Sequence, residues 1–221
     1  MSKERFYHIA NKLDLNIKFK NESFIMKCIG FILFFNKNFM NDFTTTIGNT
    51  VYFPSEKDLI KNNYCELYIL FHEKVHVNDG ANKSIKFKFL YLFPQILIPF
   101  LLLFCFYIWW LGLALAVLCI LPYPAYFRKN YELKAYKVTL FVENEMLKEI
   151  GWSEESRIKH LEDSTITYNK QFISGAYYYM WRRGVEKELD ETVKKILRGD
   201  ILLDDEFYGE IKGLLEESKH L

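Results

Sequence analysis

The chain has 221 residues and a net charge of +1, enough for one good core, or one core plus a membrane element. So balanced a charge gives no general electrostatic case for nucleic acid, and no nucleic-acid partner is expected. Hydrophobic residues make up 50% and aromatics 18%, which is high for a soluble domain, and much of that content lies in one run.

The N-terminus, Met1-Ser2-Lys3-Glu4-Arg5, leads into charged, amphipathic sequence and not into an apolar leader, so no secretory signal is expected there. Phe24 to Phe35 is apolar around Lys27. It is too short to span a bilayer and reads as either a core helix or an interfacial one. Thr44 to Phe53 is rich in β-branched and aromatic residues, with Ile47, Val51 and Phe53 on one parity, which predicts a strand. Pro54-Ser55-Glu56-Lys57-Asp58 then reads as a helix start, with Ser55 as N-cap and Asp58 as the capping-box acid. Leu59, Tyr64, Leu67, Leu70 and Phe71 continue it with helical apolar spacing.

Late on that helix comes His72-Glu73-Lys74-Val75-His76. Two histidines four residues apart share one helical face, where both can reach a single Zn²⁺, and Glu73 stands beside that face as a general base for a water. Phe89 to Phe127 follows without a single Asp, Glu, Lys, Arg or His. As one helix it would measure about 58 Å against a hydrocarbon core of about 30 Å, whereas a hairpin turning near Tyr107 to Gly112 gives two arms near the lower limit for spanning. Lys83, Lys86 and Lys88 precede the run, and Arg128, Lys129, Lys134 and Lys137 follow it. Both flanks are therefore expected on the cytoplasmic side. Glu132 stands just after the run, and Asp79 and Glu143 are the other acids that compete with it to join the two histidines at one ion. If His76 and Glu132 bind one ion, the chain must return to the side it left.

A strand, an H-E-x-x-H helix and a later helix carrying Glu132-Leu133-Lys134-Ala135 resemble the gluzincin zinc metallopeptidases. More narrowly, they resemble the integral-membrane peptidases of the CAAX-prenyl-protease and HtpX type, over about residues 44 to 140. The resemblance implies Zn²⁺ as cofactor, His72, His76 and Glu132 as its ligands, Glu73 as the catalytic base, and Ala135 as the small residue beside the metal helix. Tyr136 stands where those families usually carry an Asp that orients a ligand, so Tyr136 or Asp79 is expected to take that role. It further implies that the helix over 24–35 backs the catalytic helix from the core. An edge strand, here Gly48 to Tyr52, would pair with an extended peptide.

Beyond Glu132 the chain is charged and amphipathic. Helices are predicted from Ser153 or Ser156, over Lys170 to Arg183 ending at Gly184, over Val185 to Arg198 ending at Gly199, and over Asp204 to Lys219. Tyr177 to Arg183 reads as a packing helix or an interfacial aromatic belt. Tyr131, Tyr136, Tyr168 and His160 compete to stabilise an oxyanion. Cys28, Cys65, Cys105 and Cys119 lack C-x-x-C spacing and read as reduced, apolar residues.

The expected fold is mainly α with some β, a zincin-like metallopeptidase core with a small β-sheet or edge strand, interrupted by a transmembrane helical hairpin. Residues 1–88 would form the N-terminal half of that domain, 89–127 the hairpin, and 128–221 the third-ligand helix and C-terminal helical part. The expected function is a membrane-associated zinc metalloendopeptidase, multi-pass with its site facing the cytoplasm, whose partners are a peptide or protein substrate and membrane lipid. A catalytically inactive zincin-like scaffold is the alternative. A helical-hairpin membrane protein with an accidental motif is a third reading, distinguished by the absence of stoichiometric zinc.

Overall fold

The computed structural model describes residues 2–32, 39–61, 65–119, 125–173 and 182–221. Residues 33–35, Tyr64, 120–124 of the expected hairpin, 174–181 of the helix expected over Lys170 to Arg183, and the side chains of Asp58, Cys65 and Lys83, all used in the sequence reading, lie outside what is described. The chain is predominantly helical with a small mixed sheet.

Helix α1 (Lys3–Lys12) starts at Ser2, whose hydroxyl accepts from the Arg5 amide, a normal N-cap. Strand β1 (Asn16–Phe19), helix α2 (Phe24–Ile32), strands β2 (Thr45–Ile47) and β3 (Thr50–Phe53), and helix α3 (Glu56–Lys61) follow. The motif helix α4 (Cys65–Leu92) is long, and it reaches into the uncharged run. Two short apolar helices, α5 (Ile98–Phe104) and α6 (Trp109–Leu118), pack against each other. Gly112 is required there, because a Cβ on it would stand 2.8 Å from both Cys105 Sγ and Leu101 O. Then come α7 (Tyr126–Glu149), α8 (Glu154–Phe172), α9 (Arg182–Arg198) and α10 (Glu206–Glu217).

Helix α7 is the axle. Leu133, Ala135, Tyr136, Val138, Leu140, Phe141, Val142 and Met146 are all buried, and so are Arg128, Lys129, Glu132, Thr139, Glu143 and Asn144, so the helix is enclosed by neighbours on nearly every side and carries polar groups inward with it. Helix α4 packs along one side of it, with Leu67, Leu70, Phe71 and Val75 buried. Helices α8, α9 and α10 cover the rest. Each fully buried Leu or Phe here contributes about 1.5–3 kcal/mol relative to exposure.

Four expectations change. The strand over 44–53 is a hairpin: Gly48 sits at φ +60 between β2 and β3, a conformation glycine adopts without Cβ strain. The sheet order is β1-β3-β2, β1 parallel and β2 antiparallel to β3. Thr50 to Tyr52 are therefore central, and the free edge beside the motif helix belongs to β2, not to Gly48 to Tyr52. The third change is α2, which is not a core helix. Phe6 and Ile9 of α1 are buried in the cluster that holds Val51 and Phe53, with Phe6 edge-on to Phe53 at 5.7 Å. With α1 in that place, α2 buries Met26 against Phe39 and Tyr52 while Phe24, Ile25 and Phe31 stay exposed. Finally, Gly184 ends no helix; it lies in the first turn of α9, whereas Gly199, at φ +81, does terminate that helix.

The uncharged run turns at residues 105–108, earlier than the expected Tyr107 to Gly112, since Trp109 to Gly112 already belong to α6, and the described helices on either side are short. Among the described residues no single helix is long and apolar enough to cross a membrane; Ile85–Leu92 and Gln95–Phe104 would pass together but meet at a 91° bend.

Candidate metal centre

Helix α4 presents His72 and His76 on the face that packs on α7, with ring centroids 5.1 Å apart. Glu132 enters from the second turn of α7 and is almost wholly buried. Its Oε2 lies 3.3 Å from His72 Nε2 and 3.5 Å from His76 Nε2. The three donor atoms lie within 4.8 Å of one another.

Those separations discriminate. Charge-assisted N–H···O⁻ bonds run at about 2.7–2.9 Å, and both contacts are longer. Donors placed about 2.0–2.1 Å from one tetrahedral ion stand about 3.3 Å apart. The two carboxylate–imidazole separations are near the edge of such a tetrahedron, and two imidazoles with one carboxylate make a donor set that could hold a metal ion.

The surrounding groups prepare the ligands. Thr139 Oγ1 donates to Ala135 O at 3.1 Å and lies 3.2 Å from His72 Nδ1. With its own proton committed to the carbonyl, the hydroxyl can accept from Nδ1–H, an arrangement that would leave Nε2 to an ion when one is bound. The free carboxylate of Glu132 receives a hydrogen bond from the Tyr91 hydroxyl on Oε1. Burial favours neutral His76, but the Glu132 carboxylate outweighs it and lifts the imidazole to about 9. Burial likewise opposes charge on Glu132, yet His76 and His72 hold its carboxyl well below the usual range.

Glu73 is on the same helix, 9% exposed, and its Oε2 accepts from Thr46 Oγ1 on β2 at 2.7 Å. Lys20, fully buried just past β1, donates to Phe39 O at 2.6 Å and lies 4.0 Å from the Phe39 ring. Burial pulls its ammonium down to about 8, against the opposing influence of Glu73.

The structure brings His72, Glu73, His76 and Glu132 together. It also places Asp79 near the site, buried and 3.4 Å from Lys134 Nζ. Tyr136 packs its ring edge on His72 at 4.9 Å while its hydroxyl bonds Gln171; it supports the ring by packing, and Thr139 makes the hydrogen bond. Tyr131 stands edge-on to Phe87, which adjoins His76. His160 belongs elsewhere, and Tyr168 packs its ring on Tyr136 at 4.6 Å but turns its hydroxyl away to Glu143. His160 Nε2 is 3.8 Å from Glu143 and the Tyr168 hydroxyl donates to Glu143, and Glu143 lies about 16 Å along α7 from Glu132. That distance removes Glu143 as a ligand of this ion and His160 as an oxyanion donor.

Sequence reasoning missed Thr46, Tyr91 and Thr139. Thr139 had a signal, since positions 132, 135 and 139 share a helical face. Tyr91 had none, because it sits in the uncharged run. Comparison with protein-family models, curated proteins and solved structures finds no match for this chain.

Proposed function

We propose that this protein is a zinc-dependent metallopeptidase of the gluzincin kind, resembling the CAAX-prenyl-protease and HtpX type, which works at a lipid surface. The single observation that carries the reading is the spacing of His72, His76 and Glu132, which suits one tetrahedral ion better than hydrogen bonds. A zinc held there would acidify a water to a pKa of about 7 and polarise a carbonyl.

The chain's own residues do the rest. Glu73 takes the proton from the attacking water and hands it to the leaving amine, and such a base contributes about 10²–10⁴-fold. Thr46 keeps one oxygen of Glu73 fixed, so the other is the basic one. Strand β2, which has no second strand partner among the described residues, would offer its outer edge to an extended substrate, and Thr46 lies on that strand, so substrate and base would be held by one element.

Lipid contact is assigned to the run over Phe89 to Phe127. Phe100, Leu103, Phe106, Tyr107, Trp109 and Trp110 are exposed, and an apolar patch of that kind calls for a partner. Helices α5 and α6, of 7 and 10 residues, are about 10 and 15 Å long, about a third and a half of the hydrocarbon thickness. Their lengths favour an arm that enters and leaves one leaflet over two full crossings. Either topology keeps His76 and Glu132 on one side. Lys86 and Lys88 are exposed before the arm, available to anionic headgroups on the cytoplasmic leaflet.

The test separates base from ligand. Glu73→Gln is expected to lose peptide hydrolysis by 10²-fold or more while retaining about one zinc per chain. Glu132→Ala is expected to lose the zinc, and Glu143→Ala to keep it. Zinc retained by Glu132→Ala would remove the assignment, and stoichiometric zinc without hydrolysis of any peptide in the wild type would favour the inactive scaffold.

A further inference from the structure

Glu132 has two oxygens, and they face different partners. Oε2 looks at both imidazoles, at 3.3 and 3.5 Å, while Oε1 accepts the hydroxyl proton of Tyr91. The carboxylate is 2% exposed, so no bulk water competes for either oxygen. Tyr91 also stands edge-on to His76, with ring centroids 5.9 Å apart.

Tyr91 is itself held. Arg128 Nε donates to the Tyr91 carbonyl at 2.9 Å, and the guanidinium lies 5.3 Å from the Tyr91 ring. Arg128 Nη2 donates to Gln95 Oε1 at 2.9 Å, and Gln95 Nε2 donates to Cys119 O, also at 2.9 Å. The chain of bonds runs from the third ligand, through the last turn of α4, to the residue that ends α6. A residue of the uncharged run thus completes the metal centre.

We propose that Tyr91 is a positioning residue that confines Glu132 to one-oxygen ligation and so keeps the ion's fourth position open. A carboxylate free at both oxygens can bind an ion through both, filling a position that a water and a substrate carbonyl need. With Oε1 engaged by a phenol hydroxyl, only Oε2 is offered. Thr139 serves His72 in the same sense, by committing Nδ1 to a hydrogen bond. The proposal rests on the zinc reading above.

The experiment uses the full chain loaded with Co²⁺ as a spectroscopic stand-in for zinc. Tyr91→Phe removes one hydroxyl and keeps the ring; Tyr107→Phe, at the exposed tip, is the control. The expected result is a 10–100-fold loss of metal affinity in chelator competition, together with weaker cobalt d–d bands as the coordination number rises from four to five. The control should match the wild type in both. A merely structural role for the hydroxyl could lower affinity but would not change the band intensity of the loaded site. Identical affinity and spectrum in wild type and Tyr91→Phe would overturn the proposal and leave the zinc reading standing. Wild type that binds neither Co²⁺ nor Zn²⁺ would overturn both. Should Tyr91→Phe fail to fold, the carboxylate stretches of the zinc-loaded wild type decide, wide separation meaning one oxygen and narrow separation meaning two.

Discussion

His76 and Glu132 make the metal-free site a charged pair, and this sets a pH dependence. Burial works against the His76 charge, but Glu132 lifts its folded value to about 9, above the ordinary value of about 6.5. Its contribution to stability is therefore complete below about pH 6.5 and lost as pH rises through about 9. Glu132 is depressed despite burial, by His76 and His72, so its contribution is present above about pH 4.5 and lost as pH falls towards its folded value. Metal-free protein should be most stable between about pH 4.5 and 6.5 and weaken from pH 7 to 9, whereas zinc-loaded protein, which needs both imidazoles neutral, should gain over that interval. Urea midpoints with and without chelator at pH 6 and pH 9 check this, and parallel curves would contradict it. At this scale the pairing of His72 with His76 was legible in the sequence because i, i+4 spacing is a local property, whereas Glu132 was expected from the family resemblance and the structure brings it to the two imidazoles. Thr46 and Tyr91 could not, because their partners are fixed only by how β2 and the end of α4 pack.

Helices α5 and α6 are apolar at nearly every position and largely exposed, while α7, which carries charged residues along its length, is buried through its middle. Hydrophobicity alone does not predict burial here, since the uncharged helices are the exposed ones; length and neighbours decide. On the one-leaflet reading, Trp109 and Trp110 sit at the tip of the arm, so their fluorescence should shift to the blue on adding vesicles with anionic headgroups. Quenchers placed near the acyl mid-chain should reach them while aqueous quenchers should not. Unchanged emission with vesicles would remove the lipid assignment. The sequence showed the run and its turn because charge-free length is a direct signal. It hid the hairpin β2–β3, since Gly48 and Asn49 interrupt a β-rich stretch without breaking its composition. The exposure of α2 was equally hidden, because which of two apolar helices covers a sheet is settled by packing and not by either helix alone.

The two halves of the chain close on each other across the uncharged run. Buried Arg5 of α1 pairs with Glu149 at the end of α7, and donates to Leu215 O and Ser218 Oγ at the C-terminus. At the centre α4 and α7 form the main helix pair, and the three candidate ligands straddle it. A zinc there cross-links the halves and adds to global stability in proportion to its affinity. The mainly helical class with a small sheet was legible from periodicity and turn residues. That α7 is the axle was not, because its apolar residues have no one-sided period. The most direct test is X-ray absorption at the zinc edge on the purified wild-type chain. The account predicts about one zinc per chain in a four-coordinate shell of nitrogen and oxygen at about 2.0–2.1 Å, with scattering from two imidazole rings. Sulfur at about 2.3 Å, or no stoichiometric zinc after dialysis against the metal, would contradict it.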